Sequence, residues 1–196
     1  MTLLLAALAY LAGSIPTGLL LTRRIGVDPR RAGSGNIGAT NVLRTAGARL
    51  GAATLLGDVA KGAIPTLLAI VLGAGERAAS TIGLAAFLGH LFPPWLRFRG
   101  GKGVATALGV ALVLDPLAAC AGVVAFAAVI ATSGFVSLAS ILGATACAVA
   151  LWAREHPGWP AVVAMALLIL ARHHANLRRL AAGTEPRVRL LSRQRP

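Results

Sequence analysis

Three short stretches of this chain combine glycine, small hydrogen-bonding side chains and fixed cations, the residue types that hold an anion. The first is Gly33-Ser34-Gly35-Asn36-Ile37-Gly38-Ala39-Thr40-Asn41-Val42, followed by Arg44. Backbone N–H groups of such a loop can turn toward an anion, with Ser, Thr and Asn as further donors. Arg44 can then grip a phosphate through two parallel hydrogen bonds. The same composition also makes ordinary turns, so this segment alone does not decide between the two. The second stretch is His90-Leu91-Phe92-Pro93-Pro94, then Arg99-Gly100-Gly101-Lys102-Gly103-Val104-Ala105-Thr106. Here glycines flank a lysine just ahead of an apolar run. A helix starting there puts its unpaired N–H groups and positive dipole end beside a point charge. The glycine spacing is not that of a Walker A loop, and Gly103 stands where Ser or Thr would follow the lysine, so no nucleotide is implied.

The third stretch is Arg172-His173-His174-Ala175-Asn176-Leu177-Arg178-Arg179-Leu180, then Gly183-Thr184-Glu185. His173 and Asn176, three apart, share one helix face. His173 and His174 diverge on a helix and have no carboxylate cluster beside them, so no metal site is expected. Asp58 and Lys61, three apart in an apolar run, are either a functional pair or a structural salt link. Gly13-Ser14-Ile15-Pro16 reads as a kink or packing notch.

These groups need a scaffold, and composition restricts what it is. The chain is 57% hydrophobic and 13% charged, with a mean hydropathy of +0.77. A soluble domain carries roughly 25% charged residues. An apolar excess of this size faces lipid rather than one small core. The net charge of +13 sits in short clusters between apolar runs, with 5% aromatics, unlike a nucleic-acid module. Cys120 and Cys147 both fall in apolar runs and read as buried, inert thiols. The first apolar run lacks the early basic region and cleavage site of a removed signal, so it is expected to stay as a spanning helix.

Apolar segments read as spans cover 2–22, 51–73, 78–96, 103–115, 117–132, 136–153 and 158–172, of which three are short for a bilayer crossing of roughly 17–25 residues. The pieces 103–115 and 117–132 are divided only by Asp115-Pro116, and proline's exclusion from helix interiors favours two helices. The expectation is an all-α membrane protein, a bundle of seven transmembrane helices. All Lys and Arg except Arg77 and Arg154 then fall on one side, which puts the N-terminus outside and the C-terminus in the cytoplasm. A six-span count would scatter the basic clusters over both sides. Residues 1–186 form one domain, and 187–196 are a basic tail, disordered or lying on anionic headgroups. His156, beside Pro157 on the outer side, is expected to be solvated.

In their order and common placement, these stretches resemble the acyl-phosphate-dependent glycerol-3-phosphate acyltransferases of the bacterial inner membrane. The likeness runs through Gly13 to Pro16, Gly33 to Asn41, Gly57-Asp58, Lys61-Gly62, His90 to Pro93, Gly100 to Thr106, and His173 with Asn176, Arg179 and Gly183 to Glu185. Leu177 replaces a usual isoleucine, and His174 a common basic residue. The resemblance implies a seven-helix bundle that moves an acyl group from acyl phosphate to the sn-1 hydroxyl of glycerol-3-phosphate. The products are lysophosphatidic acid and inorganic phosphate, in the first acylation of phospholipid synthesis. It implies a monomer in the cell membrane, with its site at the cytoplasmic face and no cofactor.

The residues expected to be catalytic are His173, Asn176, Lys102 and Ser34. Those expected to bind substrate are Arg44, Asn36, Thr40, Asn41, Gly35, Gly38, Gly100, Gly101, Gly103, Val104, Thr106 and His90. An acyl phosphate is already activated, so positioning and charge neutralisation suffice. Either His173 or a phosphate oxygen of the donor can take the proton, and the phosphate is favoured, with His173 orienting it. The acyl chain would enter sideways from the bilayer. The His-x-x-x-x-Asp pair of CoA-type glycerolipid acyltransferases is missing, since Trp95, Ala161, Arg178 and Arg179 lie five after the four histidines. A transporter of an organic phosphate is the alternative; it would call for midplane charges and repeat symmetry, and no repeat is visible.

Overall fold

The computed structural model describes residues 1–188, which contain helices and no strand. In chain order they are α1 (Thr2–Gly13), α2 (Thr17–Arg23), α3 (Ala39–Ala46), α4 (Ala48–Val71), α5 (Gly75–Leu91), a 3-10 turn at Pro94–Leu96, α6 (Val104–Leu114), α7 (Pro116–Ser133), α8 (Val136–Ala153), α9 (Trp159–Arg172) and α10 (His174–Ala181). Every apolar segment became helix, with local departures. The stretch 2–22 is not one rod: it breaks at Ser14-Ile15-Pro16, because Pro16 has no N–H to continue the ladder of α1. The stretch 78–96 leaves the helix at Leu91, ahead of the Pro93-Pro94 pair. Segments 103–115 and 117–132 are two helices, and Asp115 explains the break. Its carboxylate caps α7 by accepting from the Leu117 and Ala118 N–H groups at 3.0 and 3.1 Å, with Pro116 in the first turn.

By length and apolarity, four stretches can cross a bilayer: α1 with α2, α4, α7 and α8. The α9–α10 pair, bent by 53°, makes a fifth if counted as one span, while α6 is a shorter apolar helix. Leu3, Leu4, Leu8, Leu56, Leu67 and Val124 are exposed on the outside of the bundle. Phe87, Ile82, Leu91, Met165, Ile169 and Leu151 fill its interior.

The helices approach closely because small residues face carbonyl oxygens of the neighbour. A Cβ on Gly62 of α4 would lie 2.2 Å from the Thr106 oxygen of α6, and one on Gly109 of α6 would lie 2.1 Å from the Val59 oxygen of α4. Gly13 and Gly89 lock α1 to α5 in the same way, and Gly122 and Gly143 lock α7 to α8. This is the close packing that helices in lipid use where no hydrophobic force draws them together.

Three expectations change. His156 is not solvated: its side chain is 11% exposed, its Nδ1 accepts the Gly158 N–H at 3.0 Å, and its Nε2 lies 3.6 Å from Glu76 Oε2. Cys147 is buried, but Cys120 is exposed. Of the tail expected from 187, Val188 donates its N–H to the Gly134 oxygen at 2.8 Å, and the Arg187 guanidinium stacks over Phe135 at 4.8 Å; residues 189–196 lie outside the described residues. Gly109→Leu should force α4 and α6 apart and destabilise the bundle by about 1–3 kcal/mol. A lowered midpoint of thermal unfolding in detergent is the expected outcome.

Candidate active site

The first glycine stretch is organised by Asn41, the third residue of α3. Its Nδ2 lies 2.8, 2.9 and 3.0 Å from the carbonyl oxygens of Asn36, Pro29 and Ala32, and its Oδ1 accepts the Ser34 N–H at 2.8 Å. Asn36 in turn accepts the Gly38 N–H at 3.0 Å. Both asparagines, expected as ligands, are therefore engaged in building the loop. Gly33, at φ +60°, is tied to this arrangement, since a Cβ there would stand 2.3 Å from Asn41 Oδ1. The N–H groups of Gly33, Asn36 and Ile37 in the loop, and of Ala39 and Thr40 in the first turn of α3, have no hydrogen-bond partner among the described residues. Arg44, one turn further on, makes no ion pair or hydrogen bond among the described residues. Ser34, Thr40 and Arg44 line the wall of a cavity.

The second stretch is folded back on α5 and clamped by α9. Gly100 and Gly101 donate their N–H groups to the Leu91 and His90 oxygens at 3.0 and 3.1 Å. Arg172 donates from Nη2 and Nε to the carbonyl oxygens of the same two glycines, at 2.7 and 3.1 Å. Gly103 precedes α6 at φ +82°, with the Phe87 ring 2.2 Å from where a Cβ would be. Only glycine fits both the conformation and the space. The result aims Lys102 into the cavity, where Nζ donates to Asn176 Oδ1 at 2.6 Å. Burial pushes the Lys102 ammonium down to about 8; Glu185 opposes the shift, and Arg179, Arg172 and Arg44 add to it.

The third stretch bends at His173, the junction of α9 and α10. His173 Nδ1 lies 2.7 Å from the Ile169 carbonyl oxygen. A carbonyl only accepts, so Nδ1 carries the hydrogen and Nε2 of the neutral ring is left with its lone pair. Burial, then the Lys102 charge, pushes His173 down to about 4. Asn176 Nδ2 donates to Glu185 Oε1 at 2.6 Å, and Arg179 Nε to Glu185 Oε2 at 2.7 Å. Burial raises the Glu185 carboxyl, but these hydrogen bonds outweigh it and hold it below the ordinary carboxylate range. A continuous chain Lys102–Asn176–Glu185–Arg179 thus fixes the site's orientation.

The three stretches converge on one cavity of about 810 Å³. Of the expected residues, Ser34, Asn36, Gly38, Thr40, Asn41, Arg44, His90, Lys102, Gly103, Val104, His173 and Asn176 line it. Gly35, Gly100, Gly101 and Thr106 do not. Gly35 turns the loop at φ +73°, the Gly100–Gly101 pair packs on His90, and Thr106 is buried against Gly62 of α4. Sequence inspection missed Ser137 and Ser140 on α8, both lining the cavity, with Ser137 facing the Glu185 carboxylate. Two serines three apart in an otherwise apolar run were the available signal. It also left Arg179 and Glu185 out of the site. Lys61 Nζ pairs with Asp58 Oδ1 at 2.9 Å and donates to the Ile15 oxygen at 3.1 Å. The pair therefore bridges α4 to the α1–α2 break, and Asp58 also lines the cavity, 3.7 Å from His90 Nδ1. No group of three metal-ligating side chains occurs among the described residues.

The remaining wall is apolar. Leu55, Leu108, Val123, Phe126, Met165 and Ile169 are among the residues that continue the cavity away from the cations into the bundle. An amphiphile with an anionic head matches both ends. A family profile described as Glycerol-3-phosphate acyltransferase matches residues 3–183. The chain belongs to the glycerol-3-phosphate acyltransferase family. A family member from Geobacter sulfurreducens is 50% identical over 189 residues, covering 94% of this chain and 96% of that one. Another, from Anaeromyxobacter sp. (strain Fw109-5), is 48% identical over 198 residues, covering 96% and 97%. Among solved structures, the fold is similar to the integral membrane glycerol 3-phosphate acyltransferase PlsY (YgiH) in its glycerol 3-phosphate form. The TM-score is 0.92 at 37% identity, with 95% of each chain covered. The lysophosphatidic acid form of PlsY gives 0.89 at 36% identity, covering 95% of this chain and 94% of that one. The likeness to these integral membrane structures and the apolar helices make the chain a multi-pass membrane protein.

The Lys102 ammonium is lost as pH rises through about 8. Binding of inorganic phosphate, measured by calorimetry, should therefore weaken above that pH. In Lys102→Arg the guanidinium stays charged throughout this range, so affinity should stay flat. A wild-type affinity that does not change across the range would contradict the assignment.

Proposed function

We propose that this chain is an acyltransferase that moves an acyl group from acyl phosphate to the sn-1 hydroxyl of glycerol-3-phosphate, releasing lysophosphatidic acid and inorganic phosphate. One observation carries this: a single cavity joins a cation-lined, glycine-bounded end to an apolar arm. Only a reaction with phosphorylated heads and an aliphatic tail uses both. The glycerol 3-phosphate and lysophosphatidic acid forms of the similar PlsY structures fit the acceptor and the product of this reaction.

The glycerol hydroxyl oxygen attacks the acyl carbonyl carbon, the carbon–oxygen bond to the phosphate breaks, and the phosphate leaves with its bonding electron pair. Lys102, Arg44 and the free N–H groups of α3 balance charge on the two phosphates, which positioning and electrostatics make productive. The hydroxyl proton has two possible acceptors. His173 Nε2 offers a lone pair, but with the ring pushed down to about 4 it is a weak base. A phosphate group titrates near about 6 and is the better one. His173 Nε2 then accepts a hydrogen bond from the glycerol hydroxyl and orients it, and the proton ends on the departing phosphate. Asn176, held between Lys102 and Glu185, keeps Lys102 in place. Ser34 donates to a phosphate oxygen.

The seven-span topology, with the N-terminus outside and the site at the cytoplasmic face of a bacterial inner membrane, belongs to the same proposal. It rests on the helical form of all seven apolar segments and on the basic residues that flank them on one side.

Lys102→Ala and Arg44→Ala should each lower kcat/KM for lysophosphatidic acid formation by about a hundredfold or more, with unchanged unfolding midpoints. Near-normal rates in both would remove these residues from the site. His173→Ala should retain a measurable rate if the donor phosphate is the base and lose all turnover if the imidazole is. In a cysteine-free background, a single cysteine at Arg30 should react with a membrane-impermeant thiol reagent only after the cells are opened, and one at Arg77 in intact cells.

A further inference from the structure

We propose that the apolar arm of the cavity ends in a closed floor, formed by Ala119, Cys147 and Val162, which selects the donor's acyl chain by length. The inference rests on the acyl-transfer reading above. The level of the reacting carbonyl is marked by His173 and Lys102, the groups nearest the transferred atoms. Along each helix, the lining residues furthest from that level are Ala119 on α7, Cys147 on α8 and Val162 on α9. All three are buried, at 1%, 8% and 5% exposure. Beneath lies packed core: Ala118, Leu114, Ala148 and Leu151. Asp115 closes that end by capping α7 and pairing with Arg154. A pathway through the bundle, as a transporter needs, is blocked by the same layer.

Two helices give the same depth. His173 to Val162 on α9 and Val136 to Cys147 on α8 are each eleven positions, or about 16–17 Å at 1.5 Å per residue. A zigzag chain of carbon–carbon bonds near 1.5 Å advances about 1.25 Å per methylene, so about 13 methylenes reach from carbonyl to floor. Gly122, Gly143 and Ala144 line the arm between these levels, leaving width for an unbranched chain. Val123, which also lines the arm, is 47% exposed, so the wall is open to lipid there. A chain longer than the floor permits must bend out past Val123.

The test measures kcat/KM of purified protein with glycerol-3-phosphate and saturated acyl phosphates of roughly ten to roughly twenty carbons, a range spanning the depth estimate. Wild-type protein should peak at roughly 14–16 carbons and fall on lengthening. Cys147→Leu raises the floor and should move the optimum down by about two carbons, while Val162→Ala lowers it and should move it up by about two. Cys147 packs on Gly122, so if Cys147→Leu fails to fold, the truncating Val162→Ala carries the test. A wild-type profile in every folded variant, whatever its absolute rate, overturns the proposal. A wild-type protein that transfers no acyl group from any acyl phosphate instead overturns the activity reading.

Discussion

Several cations held close together without matching counter-charge are the constraint on which the rest of the structure turns. Lys102 lies within electrostatic reach of Arg44, Arg172 and Arg179, with Glu185 as the carboxylate among them. Like charges at this spacing repel, and burial adds to the cost for Lys102. The fold holds them through backbone and side-chain anchors from distant elements. Arg172 is fixed by the Gly100 and Gly101 carbonyls, Lys102 by Asn176, and Arg179 by Glu185. On the proposed reading, the repulsion that remains is relieved when phosphate enters, which favours a doubly phosphorylated complex over either water or a neutral lipid.

The bundle supplies the other half of the reaction. Its helices pack through glycine–carbonyl contacts at α1–α5, α4–α6 and α7–α8. The hairpin of α6 and α7 shares its corner at Asp115, and the apolar arm lies between these helices, α8 and α9. A water-borne phosphate and a lipid-borne chain can meet there without either crossing the other's medium. That division explains why polar side chains gather at one end of the molecule while the helix bodies stay apolar.

Much of this was legible in residue order. The seven apolar runs became helices, Asp115-Pro116 divided two of them, and Gly103, Lys102, His173 and Asn176 declared themselves by type and spacing. What escaped was side-chain direction, which distant partners decide. Asn41 looks like an anion ligand, yet Pro29, Ala32, Ser34 and Asn36 surround its amide. Thr106 shares a motif with Lys102, but its helix face packs on Gly62. Ser137 and Ser140 passed for spanning-helix residues because the cavity facing them exists only once α6, α7 and α9 have assembled. Glu185 gains its role from Asn176 and Arg179, which reach it only after the chain bends at His173.

The most direct measurement is the stoichiometry of phosphate release by the purified protein in lipid vesicles. With both substrates present, one inorganic phosphate should appear for each lysophosphatidic acid formed, and none should appear from acyl phosphate when glycerol-3-phosphate is withheld. Phosphate release at the same rate without glycerol-3-phosphate, or lysophosphatidic acid formed without phosphate, would contradict direct transfer between two substrates held in one cavity.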